Sequence, residues 1–240
     1  MRPLAAQVTA EVRMTLKRGE SVLLTLGIPV VLIVFFGSVH VLPTGSGKPI
    51  TFLAPGVLAL AVMSTSMVNL SIATGFERGY GVLKRLGATP LGRPRLLAAK
   101  ITAIVMLEVI QAVVLVAVSL AMGWHPTSGA GPAVAVVLLA TSGFGGIGLL
   151  LAGVLKAEVN LAAANGLWLV LLLVSGMLVP LAKLPGWLAA VARVLPAAAL
   201  SQALHHSIGL GTPVPGWSWI VLGAWAIAGP LAAALTFRWE

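Results

Sequence analysis

The six acidic residues of this chain are all glutamates, and it has neither aspartate nor cysteine. A Ser-His-Asp triad, a thiol nucleophile and a cysteine metal site are therefore excluded. His205 and His206 are adjacent, whereas paired metal-binding histidines on a helix need a spacing of four, and no acid lies near them. Gly45-Ser46-Gly47-Lys48 invites comparison with a phosphate loop. That pattern needs glycine where Leu42 stands and Ser or Thr where Pro49 stands. No catalytic residue, no metal site and no cofactor bound by the chain itself are expected.

Glu108 is the acid with chemical potential. It lies within an apolar run, eight residues past Lys100, or about 12 Å along a helix. A charge at the centre of a bilayer costs roughly 2.5–3.5 kcal/mol on insertion scales, so such a residue faces protein or water. With Gln111 beside it, Glu108 either bonds a neighbouring helix, lines a cavity that attracts or gates cationic cargo, or couples protons. Thr65 and Asn69, four residues apart, and Asn165 give other apolar runs a polar face. Such faces either glue helices together or border a pathway or dimer interface.

The elements that must hold these groups follow from composition. Hydrophobic residues make up 59% of the 240 and charged residues 9%, against about 45–50% and about 25% in a soluble domain. Mean hydropathy is +1.05. The solvent is a bilayer, and a soluble enzyme is excluded. Apolar runs at 22–41, 53–74, 101–122, 133–155, 161–179 and 219–237 predict six transmembrane helices in an all-α polytopic membrane protein, a single domain over 1–240. Pro29 is expected to kink the first, with a neighbour satisfying the freed carbonyl. Gly143, Gly145, Gly146 and Gly148 predict a close-packed surface in the fourth.

Twelve of the fifteen Lys and Arg residues then fall on one side, leaving Lys48, Lys183 and Arg193 on the other. The positive-inside bias puts both termini in the cytoplasm and accounts for the net charge of +9, so no nucleic-acid partner is expected. Leu4, Val8, Val12 and Leu16 share one face of an amphipathic interfacial helix within 1–20. Trp124, Trp187, Trp217 and Trp219 predict an aromatic belt at the outer headgroups.

The connection 76–100 is the longest polar stretch on the basic side. Phe76, Tyr80 and Leu83 are expected on one helical face, with Glu77, Arg78, Lys84 and Arg85 around them. Thr89-Pro90 ends that helix, and Pro94 suits the first turn of the next. Topology and headgroup contact explain the charge. They do not explain a short helix, a Thr-Pro break and a second helix, which together make a rigid lever for a cytosolic partner.

Glu77-Arg78, Gly81-Val82-Leu83-Lys84-Arg85-Leu86, Ala88-Thr89-Pro90-Leu91 and Lys100 resemble the cytoplasmic signature of ABC-2 type exporter permeases, and most of all the daunorubicin-resistance (drug-efflux) branch. Ser175 through Pro180, Leu184 through Leu188 and Ala192 through Pro196 resemble that family's exit from the fifth span. The resemblance implies that Glu77, Arg78, Tyr80, Leu83, Lys84, Arg85, Thr89 and Pro90 belong to a coupling helix docked on an ATPase subunit. It implies short outer re-entrant helices over 180–218, carrying Pro180, Pro185, Trp187 and Pro196. Further implications are a second permease chain as homo- or heterodimer, ATP and Mg on the partner subunit, and a multi-pass place in a bacterial inner membrane. The implied function is export of a hydrophobic or amphipathic drug, antibiotic or lipid-like compound. Export of a polysaccharide or glycolipid, or ion-coupled transport, are the alternative readings.

Overall fold

The computed structural model describes residues 8–9, 11–13, 23–39, 48–87, 92–127 and 130–237, and for 23–24, 86–87 and 92–97 the backbone alone. Its regular structure is helical throughout, without a strand among the described residues. Thr89 and Pro90, Leu4 and Leu16, and the glycines of 45–47 lie outside the described residues.

Helix α1 (Ile28–Ser38) is entered through a π-helical turn, Leu23–Gly27. Together with that turn, the described apolar helix Thr25–Ser38 is about 21 Å long. Among the described residues, five helices are long and apolar enough to cross a membrane, or six if the bent pair at 186–210 is one span. The five are α2 (Pro49–Gly79), α4 (Gly92–Ala121), α5 (Ala130–Val154), α6 (Ala157–Val174) and α9 (Gly216–Thr236), with α3 (Val82–Gly87) between α2 and α4. Between α6 and α9 stand α7 (Gly186–Arg193) and α8 (Pro196–Leu210), bent by 89° to one another. That angle belongs to a broken span or a re-entrant segment. Pro196 starts α8 in the first helical turn, where its missing N–H costs nothing.

Two boundaries differ from expectation. The fifth span ends at Val174, and 175–179 is a run of bends. Gly176 there has φ +76°, a left-handed conformation that stops a helix. In the segment 76–87, Gly81 has φ +69° and separates α2 from α3. The single amphipathic face joining Phe76, Tyr80 and Leu83 is therefore broken. Tyr80 is 73% exposed while Leu83 is buried.

Helix α2 is the axis of the bundle. Every residue from Leu53 to Met63 is buried, as an all-apolar helix requires. Glycines set the spacing around it. A Cβ on Gly148 would lie 2.6 Å from the Met67 carbonyl of α2, and one on Gly146 would collide with Gly229 and Pro230 of α9. The glycine surface expected in the fourth span is thus a backbone-to-backbone contact on two sides. Val8 and Val12 are buried with Ala99, Ala103 and Leu107, so the N-terminal helical segment lies with its apolar stripe on α4. Trp124 departs from the aromatic belt, being 1% exposed in the core, whereas Trp187 is 71% exposed.

Candidate functional site

At the basic end of the bundle, Lys100 is buried and pairs with two carboxylates, Glu77 at 2.6 Å and Glu11 at 3.1 Å. This links the end of α2, the start of α4 and the N-terminal segment in one ion cluster. A buried ammonium is tolerable only with such partners. The Arg78 guanidinium donates to the Gly153 and Leu155 carbonyls. These lie at the C-terminus of α5, where carbonyls have no helical partner and cations are favoured. Leu83 of α3 is buried as well. Glu77, Arg78 and Leu83 thus point into the bundle. Tyr80, Val82, Lys84 and Arg85 are exposed. The coupling residues named from sequence divide into anchors and a presented edge.

Deeper, Ser71 donates to Asn160 Oδ1 at 2.7 Å, and Asn160 Nδ2 donates to the Ser71 carbonyl at 2.9 Å. Gly75 makes room, since a Cβ there would lie 2.5 Å from Asn160 Nδ2. This reciprocal pair binds α2 to α6. Asn165, the residue chosen from sequence, is exposed, and among the described residues it bonds its own helix at the Leu161 carbonyl. Asn160 carried a legible sign, a polar residue at the mouth of an apolar run.

Toward the middle, a polar seam joins α1, α2, α4 and α5. Thr65 Oγ1 donates to Gln111 Oε1 at 2.8 Å, and Gln111 Nε2 donates to the Thr25 carbonyl at 2.8 Å. Pro29 has no N–H for that carbonyl, and Gln111 supplies one. Residues Ser64–Asn69 are π-helical, and within them Thr65 is buried while Asn69 is half-buried. Ser64 Oγ and Ser66 Oγ bond the Leu60 and Val62 carbonyls, and Trp168 Nε1 donates to Ser64 Oγ at 2.8 Å.

Thr141 Oγ1 donates to Glu108 Oε2 at 2.6 Å. Glu108 is 5% exposed, and its Oε1 has no hydrogen-bond partner among the described residues. Beside it opens a cavity of about 380 Å³ with a mainly apolar wall from α2, α4, α5 and α8. Thr141, hidden in the glycine-rich fourth span, has no feature in sequence that assigns it to Glu108.

At the opposite end, a second cavity of about 410 Å³ lies between the start of α2 and the stretch 180–210, lined by Lys48, Phe52, Pro180, Gln202, His205 and His206 among others. His205 is buried, with Nε2 2.9 Å from the Phe52 carbonyl and Nδ1 2.7 Å from the Ser201 carbonyl. It fastens α8 to α2. No group of three His or Glu side chains able to hold a metal occurs among the described residues. Pro180 and Pro185 precede the short helices at Leu181–Lys183 and Gly186–Arg193.

A comparison with protein-family models matches residues 5–208 to the family described as ABC-2 type transporter. A comparison with curated proteins found no match.

Proposed function

We propose a function from one premise: the chain belongs to the ABC-2 type transporter family. It is a multi-pass membrane permease, and we read it as the membrane half of an exporter driven by a separate ATPase. The observation that carries this reading is the division of the coupling segment. Glu77, Arg78 and Leu83 grip α4 and α5, while Tyr80, Lys84 and Arg85 stand outward. A push on the outward edge would reach α4 and α5 through charged and packed contacts rather than through a loop, as a switching element requires.

In this reading the basic end faces the cytoplasm, and ATP and Mg are bound by the partner. A second permease chain packs on an exposed apolar face such as that of α6, where Leu169, Val170 and Leu173 are exposed. The cargo is a hydrophobic or amphipathic compound, drug or lipid-like, because the cavities are mostly apolar. The sequence resemblance to the drug-efflux branch supports the same cargo class and a role in antibiotic resistance.

Coexpression with the candidate ATPase and copurification test the partnership. Tyr80→Ala and Arg85→Glu are expected to leave insertion intact and weaken ATP-driven export about tenfold, the scale of a lost interface anchor. Unchanged export by both variants would remove the coupling role.

A further inference from the structure

Two residues that line the cavity of about 380 Å³ carry buried polar atoms without partners among the described residues: Glu108 at Oε1 and Trp124 at Nε1. Thr74 Oγ1 and Ser218 Oγ also lack partners among the described residues but do not line this cavity. Buried polar groups in proteins are mostly satisfied, and each exception asks for a cause. Gln111, also on the wall, has both ends of its amide engaged. Glu108 has no ion pair among the described residues. The cation nearest in sequence on its helix, Lys100, is about two turns away and already holds Glu11 and Glu77.

The rest of the wall includes Leu58, Val62, Val105 and Val137. A volume of about 380 Å³ lies within the usual range of ligand pockets. Val109 and Val134 line the cavity and are 57% and 59% exposed, so it opens sideways through the bundle surface.

The geometry points to a binding site for an organic cation with an apolar body. The cation supplies the countercharge that Glu108 lacks, and in a site of low dielectric that charge is strongly felt. The apolar body displaces water from the aliphatic wall. Trp124 adds an aromatic surface for cation–π attraction and an unused N–H donor. This narrows the cargo class of the permease, and in that sense rests on the function proposed above. The binding itself needs no ATPase.

The test uses the full chain in lipid nanodiscs, without any ATPase, and two probes of like shape and opposite charge, tetraphenylphosphonium and tetraphenylborate. Protein-free nanodiscs give the lipid background. The wild type is expected to bind tetraphenylphosphonium at least tenfold more tightly than tetraphenylborate, and Glu108→Gln to abolish that preference. Equal affinity of the two ions for the wild type, or an unchanged preference in Glu108→Gln, overturns the proposal. Should Glu108→Gln fail to fold, Val134→Trp decides. It blocks the mouth from an exposed position and is expected to cut tetraphenylphosphonium binding about tenfold, so unchanged binding overturns the site. Copurification with the ATPase is scored separately. Cation binding without a partner ATPase would sink the exporter reading alone, and a partner ATPase without cation selectivity would sink this inference alone.

Discussion

Lys100 holds its charge almost without water, and two carboxylates with some solvent access surround it. That asymmetry orders the cost of breaking the cluster. Removing both anions leaves a buried cation unpaired, which costs about 3–5 kcal/mol. Removing the cation leaves carboxylates that water can still reach. Glu11→Gln with Glu77→Gln is therefore expected to lower the thermal unfolding temperature more than Lys100→Met. The reverse order would show that the lysine is not the buried member. Gln111 is a second case. Gln111→Leu takes the partner from the buried Thr65 hydroxyl, at about 1–3 kcal/mol. Asn165→Leu, which removes an exposed bond to its own helix, is expected to be near neutral in the same melting experiment.

Among the elements, close approach of backbones decides which helices are neighbours. Gly146→Ala puts a methyl into the Gly229–Pro230 backbone of α9, and backbone does not yield as a side-chain tip does. Such overpacking costs about 1–3 kcal/mol or more. Gly166, on the exposed face of α6, meets nothing within 4 Å. Gly166→Ala is expected to be neutral or to stabilise by roughly 0.5–1 kcal/mol through helix propensity. Parallel denaturation curves separate the two, and equal behaviour would contradict the packing of α5 on α9. Gly81 acts differently. Its left-handed φ turns the chain between α2 and α3, which leaves Tyr80 outside and Leu83 inside. The periodicity of 76–86 suggests one continuous stripe, but a single glycine divides it.

For the whole molecule, the orientation of the bundle is the property on which the exporter reading depends. The chain has no cysteine, so single cysteines report sidedness without background. Lys84→Cys is expected to react with an impermeant maleimide only from the cytoplasmic side, and Lys183→Cys only from outside. Labelling of Lys84→Cys in intact cells would invert the topology and remove the ATPase from the coupling edge. The exposed aliphatic faces of α4, α6 and α9, with Val113, Leu173 and Leu235 more than half exposed, suit lipid or a second chain.

Composition alone determined the solvent, the all-helical class and the approximate places of the apolar helices, because a bilayer admits few ways to satisfy a backbone. Charge bias determined the expected orientation, and single residues such as Pro29, Glu108 and the glycines of α5 announced themselves by being costly in lipid. Tertiary structure decided which polar residues meet. Thr141 reaches Glu108 and Asn160 reaches Ser71 across different helices, and spacing along the chain carries no record of that. It also decided that Trp124 is core and Trp187 surface, since two similar residues near helix ends differ only in what packs beside them.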